Sequence, residues 1–401
     1  MKIALLWKND FPWDVRIEKI AYALRDAGHQ IFILCANTKR LARHEIIDGV
    51  KIRRLPFIRC SLLSTLISLP FHFNPFWLWM ATRVVRREGI ELLILRDVPL
   101  TSVALTVKKW CGTKLILDMA ENYPAMYDDR ATKGGWKSVA SWIVKNPVLI
   151  RLLERQAVKK SEHVFVVVEE SAQRLISDGA NPRKVAVISN TPELGQFSTY
   201  RVPPARPELT LVYAGLIQER GQDLVIRAMH KLRGDGIRTR FVVIGDGIFL
   251  PQLKALVQEC QMEDAVTFLG WVDNKKIPQL ISDSDIGVIP HKKNPHCDTT
   301  IPNKLFDYMA CGRAVIVSDA VPMRRIVEEE QCGYVFPAGN VDELADVIRA
   351  AAADRVAVER KGRNGLHAVN RRYNWRHDVD HLVQIVDGIP RPANIATAVV
   401  S

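Results

Sequence analysis

Short apolar runs rich in valine, isoleucine and leucine alternate along this chain with segments of helical periodicity. In the first half, the runs that we predict to be buried strands are Ile3–Trp7, Ile31–Cys35, Leu92–Leu95, Leu115–Leu117 and Val164–Val168. Short, uniformly apolar runs separated by amphipathic helices are typical of parallel strands with helices on both faces of the sheet. The pattern therefore predicts an α/β fold.

The same alternation starts again after a proline-rich segment at residues 202–207. The runs predicted as strands in this second series are Leu211–Ala214, Phe241–Ile244, Val266–Leu269, Ile286–Ile289 and Ala314–Val317. A proline-rich break between two copies of one α/β pattern is a natural domain boundary. With 401 residues, the chain is long enough for two domains that each bury a core of their own.

The positive charge of the chain is concentrated in its first half. The net charge is +12; residues 1–195 contain 30 Lys and Arg against 19 Asp and Glu, whereas residues 196–401 contain 26 against 25. This excess of +11 indicates an anionic partner for the first half. The possible partners are nucleic acid, a phosphorylated acceptor and an acidic membrane face.

Residues 60–82 have no charged side chain over 23 positions and are flanked by basic residues on both sides. The length would allow a membrane span, but Pro70, His72, Asn74 and Pro75 lie in the middle, where polar groups are costly in lipid. We therefore favour a segment that lies on an anionic bilayer surface, with a helical hairpin in the core as the alternative. The aromatic residues expected at that surface are Phe71, Phe73, Phe76, Trp77 and Trp79.

The cysteines and the N-terminal residues indicate the cellular compartment in which the protein is expected. Seven cysteines are scattered without a C-x-x-C pair, which fits reduced thiols in the cytosol and gives no zinc site. The first residues, MKIALLWKNDF, contain charges around a short apolar core, and we interpret them as a first strand rather than as a signal peptide. These features predict a cytoplasmic protein, and the basic, aromatic segment at residues 60–82 predicts that it is peripheral at the inner face of the cytoplasmic membrane.

Residues 298–317 contain the most informative pattern in the chain. A proline stops a loop, an amphipathic helix follows, and a glycine ends that helix before a buried strand. A helix that begins at Asn303 would direct unpaired backbone N–H groups into the loop, which is a ready site for a diphosphate. Lys304 would lie beside the phosphates, and Asp307 would accept hydrogen bonds from ribose hydroxyls. The alternative is an ordinary capped helix with solvated charges.

The same segment resembles the signature of the retaining enzymes of glycosyltransferase family 4. That signature has two carboxylates eight positions apart, followed by a small residue, a glycine and an apolar strand. Asp307 matches the second carboxylate, and Thr299 stands at the position of the first, which contacts the donor hexose in the family. Residues 302–310 are similar to the Pro-Ser/Asn-Lys-Leu-Phe-Glu/Asp-Tyr-Met-Ala core of some branches.

Two glycine-containing segments match the family in its own order. Residues 213–221 are similar to the strand and loop in which an Arg and a Lys bind the donor diphosphate; Arg220 falls on the Lys position and Leu216 on the Arg position. Residues 243–247 resemble a turn that lines the nucleotide site. The resemblance implies that Arg220 is a catalytic residue that holds phosphate oxygens of the leaving nucleotide by two parallel hydrogen bonds. A surface arginine and an ordinary tight turn are the alternatives.

The resemblance implies a set of donor-binding residues in the second half of the chain. They are Gly215, Arg220, Gly245, Asp246, Thr299, Thr300, Ile301, Pro302, Asn303, Lys304 and Asp307.

The first half of the chain resembles the family more loosely. Asp14 and Arg16 match an Asp-x-Arg pattern in the first helix, and with Arg96, at the end of a buried strand, they are assigned to the acceptor side. Asp118 and Glu121 follow another buried strand, where the family places a His or an acidic residue near the reaction centre. The resemblance implies that one of these two carboxylates is catalytic and orients the acceptor hydroxyl. An N-cap for the next helix is the alternative.

The resemblance implies the GT-B fold, in which two Rossmann-like domains face each other across a cleft. In this fold the last helix crosses back to the first domain. The N-terminal acceptor-binding domain is therefore expected at residues 1–195 and 376–401, and the C-terminal nucleotide-sugar donor-binding domain at residues 196–375.

The implied activity is transfer of a sugar from a nucleotide-sugar to a saccharide or polyprenyl-linked acceptor. The family retains the anomeric configuration, and no metal or cofactor is expected. Asp283-Ser284-Asp285 has the letters of a metal-binding D-x-D motif, but it precedes a buried strand, so we interpret it as a helix terminus.

Three other functions compete with this interpretation. A nucleotide-sugar 2-epimerase of the same fold would need its own acids and histidines in the cleft, and no segment here resembles that pattern. A non-catalytic sugar-nucleotide-binding or membrane-surface partner protein is suggested by Thr299 and Leu216. A nucleic-acid binder is suggested by charge alone and lacks a basic motif interleaved with aromatic residues, so we predict no nucleic-acid partner.

Overall fold

The computed structural model describes residues 1–12, 14–57, 74–132, 146–197 and 206–392. Contacts divide the chain into two units, Met1–Ile188 with Val379–Ser401, and Ser189–Asp378. The sequence places these limits at 195/196 and 375/376. At the observed limits, the backbone N–H of Ser189 and the hydroxyl of Thr191 both donate to the carboxylate of Asp378, and all three residues belong to the second unit.

The first unit contains one sheet. Its strands are β1 (Lys2–Leu6), β2 (Gln30–Cys35), β3 (His44–Ile47), β4 (Val50–Arg54), β5 (Leu92–Arg96), β6 (Lys114–Met119), β7 (His163–Val166) and β8 (Val185–Val187). Their order is β3-β4-β2-β1-β5-β6-β7-β8, and neighbours pair in parallel apart from the antiparallel hairpin of β3 and β4. The predicted α/β sheet is confirmed, and the hairpin at its edge corrects the expectation of parallel strands throughout.

Helices connect the strands of the first unit. They are α1 (Val15–Asp26), α2 (Pro75–Glu88), α3 (Thr101–Cys111), α4 (Tyr123–Thr132), α5 (Pro147–Lys160) and α6 (Glu169–Ser177). Capping residues explain the limits of α2: the side chain of Asn74 accepts hydrogen bonds from two amides of the first turn, Pro75 follows it, and Gly89 ends the helix in a left-handed conformation. Helices α2, α3 and α5 bury apolar residues in one core on a single face of the sheet.

The second unit contains a parallel sheet. Its strands are β9 (Leu209–Ala214), β10 (Thr239–Ile244), β11 (Val266–Gly270), β12 (Ile286–Ile289), β13 (Ala314–Ser318) and β14 (Gly333–Phe336), in the order β11-β10-β9-β12-β13-β14. Its helices are α7 (Gln222–Gly234), α8 (Leu250–Glu259), α9 (Ile277–Ser282), α10 (Lys304–Ala310), α11 (Val321–Glu329), α12 (Val341–Ala353) and α13 (Arg355–Arg371). A further helix, α14 (Trp375–Asp387), contains the limit between the two units.

The predicted membrane segment is described only in part. Residues 60–73 lie outside the described residues, and Pro75–Thr82 belong to α2. Trp77 is fully buried in the core, which corrects its assignment to a surface, whereas Phe76 and Trp79 are exposed. In the part of the chain that the structure describes, no helix is both long and apolar enough to cross a membrane.

Candidate active site

The second sheet has a switch point between β9 and β12. The chain runs from β9 to β10 and β11 on one side, and β12, β13 and β14 lie on the other side. The loops that follow β9 and β12 therefore diverge, and ligands of open α/β sheets bind in the crevice that such loops leave at the carboxyl ends of the strands. Arg220 lies on the loop after β9, and the loop after β12 leads to Lys304.

Glycines let the loops at this edge approach each other through their backbones. A Cβ on Gly221 would lie 2.0 Å from the carbonyl oxygen of Pro290, and one on Gly245 would lie 2.1 Å from that of Gly215. Both Gly221 and Gly245 also have positive φ angles, of 90° and 129°. The loop that holds Arg220 is thus packed directly against the loop that follows β12.

Asp246 has a local structural role in the turn after β10. Its carboxylate accepts a hydrogen bond of 2.7 Å from the amide of Gly247, and its carbonyl oxygen accepts one of 2.9 Å from the amide of Ile217. The turn therefore joins the loops after β9 and β10, as the tight-turn interpretation expects. Contact of Asp246 with a nucleotide stays a prediction.

Lys304 is the central basic residue at the carboxyl ends of these strands. Its Nζ lies 3.6 Å from the centre of the Tyr213 ring and faces Gly215, where a Cβ would come within 3.1 Å of it. The amide of Ala214, at the end of β9, donates a 2.9 Å hydrogen bond to the hydroxyl of Tyr308, which links α10 to the end of β9. Burial, and then the nearby charge of Arg220, lower the pKa of Lys304 well below its usual 10.5.

His291 is a second basic group at this edge, and sequence reasoning missed it. It is buried directly after β12, and its Nε2 has no hydrogen-bond partner among the described residues. Burial, followed by the charges of Lys304, Arg220 and His296, lowers its pKa well below 6.5. No motif surrounds His291 in the sequence. The one signal that could have identified it is its position after a predicted strand, next to the switch point.

Basic side chains outnumber acidic ones around Lys304. Among the described residues whose charges act on Lys304 or His291, Asp307 is the one carboxylate, and Arg220, Lys304 and His296 are basic. Asp307 lies half-buried in the first turn of α10. Such a concentration of basic groups, in which the pKa values of Lys304 and His291 are lowered, is a site prepared for an anion.

The start of α10 corrects one expectation. The amides of Leu305 and Phe306 already donate to the carbonyl oxygens of Pro302 and Asn303, at 3.1 and 3.0 Å, so they are not the unpaired N–H groups that the sequence predicted. Helix α10 has only 7 residues, and Asn303 makes no side-chain cap. Binding of an anion by the amides of Asn303 and Lys304 stays a prediction, and the side chains of Arg220 and Lys304 supply basic groups beside them.

The loop before α10 is held by its own hydroxyl groups. Thr299 donates a 2.8 Å hydrogen bond to the carbonyl oxygen of Pro295, and Thr300 donates one of 3.0 Å to that of His296. Ile301 is buried and Pro302 is half-buried. These contacts give Thr299, Thr300 and Ile301 structural roles within the loop, and their contact with a donor stays a prediction.

The first unit gathers three of the predicted residues in a buried cluster. Asp118, at the end of β6, has no exposed surface, and the Nε of Arg16 donates to both of its carboxylate oxygens at 3.0 Å. The Nε of Arg96 lies 3.6 Å from the same carboxylate. A carboxylate enclosed by two guanidinium groups favours structural roles for Asp118, Arg16 and Arg96 over the catalytic and acceptor-side roles expected from the sequence.

Asp97, next to this cluster, has a strained backbone with a φ of 64°. Its carboxylate forms a 2.7 Å ion pair with Arg96 and accepts hydrogen bonds from the amide of Ala120 and the hydroxyl of Tyr123. Burial raises the pKa of Asp97, against the opposing charges of Arg96 and Lys8. The residue follows β5 beside β1, at the switch point of the first sheet, and it was absent from the predicted site residues.

Two further predicted residues of the first unit lie in turns. The carboxylate of Asp14 accepts a 2.9 Å hydrogen bond from the amide of Ile17, so it is the N-cap of α1. Glu121 is half-buried between β6 and α4, and its catalytic role stays a prediction.

The Asp283-Ser284-Asp285 motif lies at the amino ends of the strands of the second sheet, opposite to Arg220 and Lys304. Asp285 precedes β12, accepts a 2.7 Å hydrogen bond from the amide of Thr210 and pairs with Arg355 at 2.6 Å. Asp283 follows α9 as its C-cap. Over the described ranges, no group of three or more His, Cys, Asp or Glu residues is arranged to hold a metal ion. The interpretation of this motif as a helix terminus agrees with these contacts.

Two family models match this chain. The model described as "Glycosyl transferase 4-like domain" matches residues 14–191, and the one described as "Glycosyl transferases group 1" matches residues 208–354. The second match contains β9 to β14 and therefore includes Arg220, His291 and Lys304.

Among curated proteins, the chain is 24% identical over 193 residues to the putative colanic acid biosynthesis glycosyltransferase WcaL of Salmonella typhimurium, and the match covers 48% of each protein. The chain thus matches about half the length of that relative.

Solved structures resemble the chain over almost its whole length. Sucrose-phosphate synthase of Thermosynechococcus elongatus has a TM-score of 0.78 at 17% identity and covers 96% of this chain and 98% of its own. The Anabaena protein HepE, in complex with UDP and glucose, has a TM-score of 0.70 at 16% identity and covers 97% and 100%. At these identities the likeness concerns the fold, and it confirms the GT-B fold that the sequence resemblance implied.

Proposed function

We propose, from the premise that this chain belongs to the family of glycosyl transferases group 1, that it moves a sugar from a nucleotide-sugar donor to a saccharide or polyprenyl-linked acceptor. The observation that carries the proposal is the basic cluster of Arg220, Lys304 and His291 at the switch point of the second sheet. A nucleoside diphosphate supplies the negative charge that this cluster lacks.

Arg220 and Lys304 have complementary roles in this proposal. The guanidinium of Arg220 binds two diphosphate oxygens in parallel, and the ammonium of Lys304 acts as a point charge beside them. The bond between the anomeric carbon and the diphosphate breaks with the electrons moving to the phosphate oxygen, so cations fixed at that place stabilise the transition state more than the ground state. We propose that these cations act without a metal, and that the acceptor oxygen approaches the sugar on the face that the nucleotide leaves, with retention.

The acceptor and the cellular location are further parts of the proposal. The relative from Salmonella typhimurium has colanic acid biosynthesis in its name, and one from Erwinia amylovora has amylovoran biosynthesis. By analogy we propose an acceptor in polysaccharide assembly. An acceptor held in a membrane by a polyprenyl chain would place the protein at the inner face of the cytoplasmic membrane.

The test of the function is transfer from a panel of UDP-, GDP- and other nucleotide-sugars to lipid-linked and free saccharides. We expect one donor to give a glycosylated product whose anomeric configuration, read by NMR, equals that of the donor, with the rate unchanged by EDTA. An inverted product would contradict retention, and loss of activity in EDTA would contradict metal independence. Binding of a nucleoside diphosphate without transfer from any donor would favour the non-catalytic alternative.

Nucleoside diphosphate binding is expected to take up protons. The pKa values of Lys304 and His291 are lowered in the free protein, and a bound diphosphate raises both because it favours the charged forms. Affinity should therefore rise as pH falls from the raised pKa values of the complex toward the lowered pKa values of the free protein, and level off below them. Calorimetry at one pH should give a more positive binding enthalpy in Tris, which has a high ionisation enthalpy, than in Pipes.

The matched control for proton uptake is Lys304→Met, which removes one titrating group. We expect a smaller difference between the two buffers in this variant. Equal binding enthalpies in both buffers for the unmodified protein would show that neither Lys304 nor His291 changes its protonation, and the diphosphate would then bind elsewhere.

A further inference from the structure

The positive charge of the first unit is concentrated on one layer of helices. Helices α2, α3 and α5 contain nine Lys and Arg residues and two acidic residues. Helix α3 contacts both α2 and α5, so the three helices lie side by side on one face of the sheet. The basic residues of this layer are Arg83, Arg86, Arg87, Lys108, Lys109, Arg151, Arg155, Lys159 and Lys160.

The two acidic residues of these helices do not neutralise this layer, although Glu162 and Asp128, outside it, pair with Lys108 and Arg151. Glu88 pairs with Arg53 at 3.2 Å, and Glu154 pairs with Arg174 at 2.7 Å, so each is bound to a basic residue outside the three helices. Arg83, Arg87 and Arg155 are exposed and form no salt bridge within the described ranges. Their charge is therefore available to an external anionic surface.

Large apolar side chains are exposed on the same three helices. Trp79 on α2 is 48% exposed and lies against the guanidinium of Arg83, with 5.7 Å from the ring centre to its Cζ. Trp110, near the end of α3, is 54% exposed, and Val148 and Leu152 are exposed on α5. Trp77, by contrast, is directed into the core. The outer face thus combines tryptophan, aliphatic groups and arginine.

We infer that the outer face of α2, α3 and α5 lies on an anionic lipid bilayer. Arginine and lysine bind acidic headgroups, while tryptophan prefers the boundary between headgroups and acyl chains. Nucleic acid would be attracted by the same charge, but it gives no reason for exposed valine and leucine beside the arginines. This inference rests on the proposed membrane location. It extends that proposal by naming the helices that contact the lipid.

The experiment measures binding of the full chain to vesicles by sedimentation. Vesicles of phosphatidylcholine with phosphatidylglycerol are compared with vesicles of phosphatidylcholine alone. We expect binding to the first and about tenfold weaker partition for the variant Arg83→Glu/Arg87→Glu, because two attractive charges become repulsive. Trp79→Ala/Trp110→Ala should also weaken binding, by several-fold, and this loss should persist at high salt.

The matched control is Arg227→Glu/Lys254→Glu, which makes the same change of charge on exposed residues of α7 and α8 in the second unit. It should bind vesicles like the unmodified protein. Equal losses in both charge variants would show that net charge matters and this face does not, and would overturn the inference. So would tight binding of single-stranded RNA in place of vesicles.

Transfer from the donor to a soluble saccharide, measured on the same samples, separates this inference from the proposed function. Unchanged transfer in the Arg83→Glu/Arg87→Glu variant with lost vesicle binding supports both. Vesicle binding that is insensitive to all variants overturns the surface assignment and leaves the transferase proposal intact.

Discussion

Arg220→Ala is expected to lower kcat/KM for the nucleotide-sugar donor by about 10²- to 10³-fold, the loss that follows removal of one fixed group that stabilises developing charge. The guanidinium lies on the exposed loop after β9, beside Lys304, where a diphosphate would leave. Arg220→Lys keeps the charge but loses the two parallel hydrogen bonds, so its loss should be smaller. Steady-state kinetics with the donor at varied concentration measure both variants.

The controls for Arg220 separate donor binding from general destabilisation. Asp307→Ala should also lower donor use, since Asp307 is the carboxylate whose charge acts on Lys304. Arg227→Ala removes an exposed arginine of α7, and Asp283→Ala removes a carboxylate at the opposite edge of the sheet. Neither should change kcat/KM by more than a small factor. Comparable losses in all four variants would contradict a specific donor site.

Asp118→Ala is expected to lower the free energy of unfolding by about 3–5 kcal/mol, because it leaves the buried guanidinium of Arg16 without its carboxylate. Asp14→Ala, which removes a half-buried N-cap of α1, should lower it by about 0.5–2 kcal/mol. Urea denaturation of both variants measures the difference. A stable Asp118→Asn protein that had lost only kcat would contradict the structural role and restore the catalytic one.

Strands were predictable where a run of apolar residues is buried on both faces. β9 (LTLVYA) and β13 (AVIVS) are buried at every position, and such runs are visible without any alignment. The hairpin of β3 and β4 was missed because HEII is mostly exposed and VKIRR alternates between buried and half-buried residues. Neither segment contains the continuous apolar run on which the prediction depended.

Helical periodicity would have separated the aromatic residues of α2. Trp77, Ala81 and Val85 are spaced by four residues and all are buried. Trp79 and Arg83 share the opposite, exposed face. The prediction grouped these residues by composition, and composition does not distinguish the two faces of a helix.

The candidate site was predictable in part. Arg220 and Lys304 were identified through residues that match a family signature, and the structure brings their charges together. The partnership of Arg16 with Asp118 spans 102 residues, and pairs at that separation leave no trace in one sequence. His291 lacks a surrounding motif, and its importance depends on burial beside Lys304, which only the fold determines.

The most direct test of the account is a crystal structure with a bound nucleoside diphosphate. We predict phosphate oxygens within hydrogen-bond distance of the guanidinium of Arg220 and the ammonium of Lys304, at the carboxyl ends of β9 and β12. A diphosphate bound away from both side chains, or Arg220 directed away from it, would contradict the central claim.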